Sequence, residues 1–134
     1  MSLYVDTSAF LKRYFDEPDS EQFDKILQAD FRWITARITF VEVRRNLTRD
    51  LRGSARTAAR EQFYRDWNHC YIVELDKALC ATASEIAELT LVRSLDALHL
   101  AAIQRTGPMA LPLVTADIRQ AQAARSLGWA VLGA

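Results

Sequence analysis

The chain has 134 residues, half of them hydrophobic and a quarter charged, with 17 Lys and Arg balanced by 17 Asp and Glu. That is the length of one domain, expected over residues 1–134, and enough to bury a core without disulfide or metal staples. The composition excludes disorder, and zero net charge excludes a polycation that holds nucleic acid by bulk charge alone, leaving local patches open.

The first residues, Met1-Ser2-Leu3-Tyr4-Val5-Asp6, have neither the basic start nor the long apolar core of a secretory leader. No run approaches the ~20 apolar residues of a membrane span, so a cytoplasmic protein is expected. Residues 3–5 read as a short strand ending in Asp6. Phe10, Leu11, Tyr14 and Phe15 give the helix that follows an aromatic face, most of it core. Residues 31–36 read as a second strand. Phe40, Val43, Leu47 and Leu51 step by three and four, the apolar stripe of a helix over 39–52, and Gly53 separates it from another over 54–68. Residues 70–75 form a third strand. Leu79, Ala83, Ile86 and Leu89 mark the next helix, and Leu95, Leu100 and Ile103 one more. Gly107-Pro108 and Pro112 punctuate a loop before strands at 111–115 and 129–132. Cys70 and Cys80 are too few for a disulfide framework, lack metal-ligand spacing and read as free thiols. Strands alternating with helices predict an α/β fold, a parallel sheet covered on both faces.

Four carboxylates stand where such a fold places ligands. Each has a local explanation. Asp6 and Asp117 follow strands and suit helix N-caps, Thr39-Phe40-Val41-Glu42 fits a capping box, and Asp96 suits the first turn of a helix beginning near Ser94. Together they carry a different message. In parallel β-α-β units, helix N-termini gather at the edge where strands end, which is where open α/β sheets bind ligands. All four acids are expected on that edge, although periodicity does not give the strand order that decides whether they converge. Two carboxylates about 5 Å apart repel by roughly 3 kcal/mol at an effective dielectric of 20. A divalent cation removes the difficulty, and all-oxygen ligation favours magnesium or manganese over zinc. Such a site orients and deprotonates water and stabilises charge on a phosphate.

The chain resembles PIN-domain ribonucleases, and VapC-type toxins of bacterial toxin–antitoxin pairs in particular. The resemblance is carried by YVDTSAFLKRY (4–14), TFVEVRRNL (39–47), LVRSLDALHLAAI (91–103) and LVTAD (113–117), in the family's order and approximate spacing. It implies a three-layer α/β/α sandwich on a parallel sheet of about five strands. It also implies an endoribonuclease dependent on Mg2+ or Mn2+, leaving a 5′-phosphate and a 3′-hydroxyl. Asp6, Asp96 and Asp117 then fall on metal-ligand positions, and Glu42 on the residue that holds a second metal or positions the attacking water. Ser8 and Thr115 fall on hydroxyl positions that steady carboxylates or water. An antitoxin of the VapB type and a homodimer are the implied partners, and part of the aromatic face on the first helix is a candidate surface for either.

Asn46, one turn after Glu42, is a candidate to orient it, with a solvated surface residue as the alternative. His99 lies three residues after Asp96; between Leu98 and Leu100 it reads as a packed histidine with a satisfied ring. His69 reads as a helix-end residue. Between residues 37 and 65 eight arginines face three acids, a local excess of five positive charges with no lysine. Arg45, Arg49, Arg52 and Arg56 step at helical intervals, candidates for an RNA backbone, for an acidic antitoxin segment, or for a plain solvated arm. Arg93 is a separate candidate for the scissile phosphate. Two other functions stay open: a catalytically silent PIN-like module that binds RNA or protein, and a phosphorylatable receiver domain. Receivers usually carry paired acids after the first strand and a lysine after the last, and this chain has neither.

Overall fold

A computed structural model describes residues 2–30, 32–107 and 111–134. Phe31 of the expected second strand and Pro108 of the expected loop lie outside the described residues. The elements run β1 (Ser2–Val5), α1 (Thr7–Leu11), α2 (Ser20–Gln28), β2 (Arg32–Ala36), α3 (Arg37–Asp50), α4 (Gly53–Asn68), β3 (Tyr71–Val73), α5 (Lys77–Thr90), α6 (Ser94–Thr106), β4 (Leu113–Thr115), α7 (Ile118–Ser126) and β5 (Val131–Gly133). All five expected strands form: β1 gains Ser2, β3 and β4 are shorter than expected by three and two residues, and β5 begins at Val131 rather than 129 and takes in Gly133.

The strands make one sheet in the order β3-β2-β1-β4-β5, every neighbouring pair parallel. Side chains alternate across β1. Leu3 and Val5 enter a core formed with Phe10, Phe23, Leu27, Val43, Leu47 and Phe63 from α1 to α4, while Tyr4 points into a second core built by α5, α6 and α7. The result is the expected three-layer α/β/α sandwich. The chain leaves β1 for β2 on one side and returns through β4 on the other, so the ends of β1 and β4 flank a topological switch point. Receiver domains order their strands 2-1-3-4-5, a different winding.

Two local expectations differ from the structure. The Thr39–Glu42 capping box does not form: α3 starts at Arg37, directly after β2, and its N-cap Ala36 offers no side-chain bond. The Thr39 hydroxyl instead meets that of Thr35 at 2.8 Å, and Thr35 donates to the Val5 carbonyl at 2.7 Å, binding the helix sideways to the sheet. Glu42 therefore sits in the second turn. The aromatic face does not lie on one helix either, because α1 ends at Leu11. Phe10 is fully buried, and Tyr14 packs on the same core with its hydroxyl donating to Asp66 at 2.7 Å, which leaves little of that face for a partner. Among the described residues no helix is long and apolar enough to cross a membrane.

Candidate active site

Asp6 follows β1 and caps α1, accepting from the Ala9 N–H at 3.0 Å. Asp117 follows β4 and caps α7, accepting from the N–H groups of Arg119 and Gln120. Asp96 lies in the first turn of α6. The capping readings of these aspartates and their shared edge are thus both true, since strand ends and helix starts coincide there. Glu42 reaches the same place from α3. All four acids line one cleft of about 540 Å3 with Ser8, Asn46, Arg49, Arg93 and His99.

Each acid is held by neighbours. Ser8 donates to Asp6 Oδ1 at 2.7 Å, accepts from the Ala116 N–H at 2.9 Å and meets the Thr115 hydroxyl at 3.2 Å; Thr115 in turn accepts from the Asp117 N–H. Glu42 Oε1 accepts from the Thr7 hydroxyl at 2.7 Å and lies 2.9 Å from His99 Nε2. The Arg93 guanidinium stands between the outer acids, its Nε 3.7 Å from Asp96 Oδ2 and an Nη 3.9 Å from Asp117 Oδ2.

The electrostatics separate the acids. Burial pushes the Asp6 carboxyl above the usual carboxylate range, against the pull of His99, Thr115 and Ser8. Asp96 is raised by burial and by the Asp117 charge, with Arg93 opposing. Burial also pushes Glu42 up, but the hydrogen bond and charge of His99 and the Thr7 bond outweigh it, so Glu42 falls below its ordinary value. His99 mirrors this: burial lowers it, and Glu42, Asp6 and Asp96 raise it to a net upward shift.

Several expected neighbours behave otherwise than anticipated. Asn46 does not touch the Glu42 carboxylate; it donates to the Glu42 backbone carbonyl at 2.7 Å and accepts from Arg49. Arg49 lines the cleft while also bonding to Asp50, whereas Arg45 lies in an adjoining groove with Phe40, Val41 and Arg44. Arg52 and Arg56 are not stepped along one helix with Arg45 and Arg49, because the chain is extended at Leu51 and Arg52. Their guanidinium groups satisfy the carbonyls of Thr48, Arg49 and Leu51 where α3 ends, so they close a helix C-terminus rather than reach for a phosphate. His99, read as a packed residue, is indeed buried and satisfied, but by an acid of the cleft. Its three-residue spacing from Asp96 was the one available signal. Thr7, which holds Glu42, carries no signal in the sequence beyond its place in Asp6-Thr7-Ser8.

Among the described residues no trio of Asp, Glu, His or Cys side chains is drawn close enough to hold an ion as it stands. The donor chemistry nevertheless suits a hard divalent cation: four carboxylates in one cleft, two of them with raised proton affinity, and only one arginine between the outer pair.

Residues 3–126 match the family model described as the PIN domain. A protein of Mycobacterium tuberculosis (strain ATCC 25618 / H37Rv) named Ribonuclease VapC46 is 34% identical over 131 residues, 98% of this chain and 96% of its own. Among solved structures, FitAcB from Neisseria gonorrhoeae aligns with a TM-score of 0.76 at 19% identity, covering 98% of this chain and 96% of that one. Mycobacterium tuberculosis VapC20, described as a Sarcin-Ricin loop cleaving toxin, aligns with a TM-score of 0.70 at 16% identity over 90% of this chain and 94% of that one. With a family model that spans residues 3–126 and a relative 34% identical over nearly its whole length, the chain belongs to the PIN-domain family.

Proposed function

We propose that this chain, folded as a single PIN domain over residues 1–134, is a metal-dependent endoribonuclease and the toxin of a type II toxin–antitoxin pair. The observation that carries the reading is the convergence of Asp6, Glu42, Asp96 and Asp117 from four elements into one cleft beside Arg93. The name and 34% identity of the VapC46 relative support the ribonuclease, and matched structures described as a toxin–antitoxin complex and as VapBC2 support a VapB-type antitoxin.

Asp6, Asp96 and Asp117 hold Mg2+ or Mn2+ in this reading. The cation would supply charge for the phosphate and a lowered pKa for the attacking water. Glu42, ionised because His99 and Thr7 hold it so, is an acceptor only and orients that water or takes part in a second metal site. Ser8 and Thr115 fix Asp6. Arg93, three-quarters exposed on its side chain, is free to leave the acids for the scissile phosphate, and Arg49 and Arg45 continue the basic surface. A homodimer is proposed through exposed Leu89, Leu91, Leu95 and Ile118, two of which adjoin Asp96 and Asp117 in sequence. A cytoplasmic location goes with this reading, since cellular RNA is its proposed substrate.

Total cellular RNA incubated with the purified protein tests this. Cutting is expected in Mn2+ or Mg2+ and not in EDTA, with 5′-phosphate and 3′-hydroxyl ends. Cutting that survives EDTA, or that leaves cyclic phosphates, contradicts it.

A further inference from the structure

His99 lies on α6 within a helix otherwise packed with Ala97, Leu100, Ala101 and Ile103, and only 3% of it is exposed. Burying an imidazole among such residues is costly unless both ring nitrogens are used. Here both are. Nδ1 is 3.0 Å from the hydroxyl of Tyr4, itself fully buried, and Nε2 is 2.9 Å from Glu42 Oε1 and 3.3 Å from the Thr7 hydroxyl. Glu42 has no proton to give, so the Nε2–H donates to it whether the ring is neutral or charged. The chain of contacts joins four side chains from β1, α1, α3 and α6. Both bonds to the Glu42 carboxylate land on Oε1, from Thr7 at 2.7 Å and from His99. Oε2 takes neither.

We propose that His99 is a positioning residue, which, with Thr7, anchors Oε1 of Glu42 and so presents Oε2 to the cation or water of the cleft. The imidazole does not touch substrate; it acts through Glu42, and Tyr4 fixes its ring from the core side. Partners of this kind typically change metal affinity or activity 10- to 100-fold when removed. The inference rests on the nuclease reading, and it adds a residue that the four acids do not include.

The test compares His99→Phe, which keeps the volume and loses both bonds, with His99→Gln, whose amide N–H has a similar reach to Glu42. Mn2+ is titrated calorimetrically into each protein without RNA, folding is followed by thermal melting, and kcat and KM are read on total RNA. His99→Phe is expected to weaken Mn2+ binding about tenfold or more and to lower kcat 10- to 100-fold with KM within about twofold. His99→Gln is expected to recover both to within about threefold, even where its melting temperature falls as far as that of His99→Phe. Unchanged Mn2+ affinity and kcat in a folded His99→Phe protein overturn the proposal. So do equal losses in the two variants that track their melting temperatures, which mark a packing role. Wild type that neither binds Mn2+ nor cuts RNA sinks the nuclease reading and this inference with it, whereas wild type that does both while His99→Phe matches it sinks the inference alone.

Discussion

The hydroxyls of Ser8 and Thr115 meet at 3.2 Å across 107 residues of chain. Ser8 gives its only proton to Asp6 Oδ1, while Thr115 accepts from the Asp117 N–H and also helps hold the Asp6 carboxylate. The ends of β1 and β4 are thereby linked through two side chains that also orient the acid leaving each strand. Replacing Ser8 with Ala removes a donor from Asp6 and an acceptor from the Ala116 N–H. The expected outcome is about 1 kcal/mol lost in denaturant unfolding, and RNA cleavage reduced by about 10- to 100-fold. Cleavage at the wild-type rate would show that Asp6 needs no orientation from this pair.

The arginines divide by what they already hold. Arg93 is held only loosely, its nearest carboxylate oxygen 3.7 Å away, whereas Arg56 is committed to the Thr48 and Leu51 carbonyls. Arg93→Ala is therefore expected to weaken binding of a single-stranded RNA and to reduce the slope of log affinity against log salt by about one. Arg56→Ala is expected to leave that slope unchanged and to lower the melting temperature instead. Fluorescence anisotropy across a salt series reads both.

Asp76 gives a stability prediction with a definite sign. Arg105 grips both its oxygens, at 2.6 and 2.8 Å, and it caps α5 through the Leu79 N–H; these bonds hold its carboxyl down at about 2, against an ordinary 3.8. A carboxyl depressed in the folded state stabilises above its unfolded pKa, and that contribution is lost as pH falls from 3.8 towards 2. Asp76→Asn keeps an acceptor for the cap and loses the charge. Its melting temperature should lie below that of wild type by a constant margin above about pH 5, with the gap closing as the pH falls towards 2. A gap that stays constant down to that pH would contradict the assignment.

Phe63 is the centre of the core beneath α1 to α4. Fully buried, it has the rings of Phe10, Tyr14, Phe40 and Trp67 within 5.7–6.1 Å. Phe63→Ala is expected to cost about 3–5 kcal/mol in urea unfolding. A loss below about 1 kcal/mol would mean that the aromatic cluster collapses into the gap.

Most of the strand and helix pattern was legible from the period each element carries, although α2 was not read from the sequence, and the switch-point acids were legible because residue type and element boundary coincide at Asp6 and Asp117. Strand order was not: nothing local to β3 or β4 says that the chain crosses β1 between them. The start of α3 was misplaced because Thr39-x-x-Glu42 mimics a capping box, while the real role of Thr39 depends on Thr35 and the Val5 carbonyl in the sheet. His99 was read as core because its flanks are apolar. Its partners lie 57 and 95 residues away, so only the fold reveals that its burial serves Glu42. Arg52 and Arg56 looked like a basic stripe because spacing does not reveal which carbonyls a helix end leaves open.

The most direct measurement is cleavage of total RNA in Mn2+ by wild type and by Asp6→Asn, purified identically and matched for folding by circular dichroism. Asp6 is held in the cleft by Ser8 and the Ala9 N–H, and the substitution removes its charge while keeping its shape. Cutting by the wild type that Asp6→Asn lowers by at least 100-fold is the predicted result. Equal cutting by both proteins would contradict the central claim, because the activity would then owe nothing to Asp6.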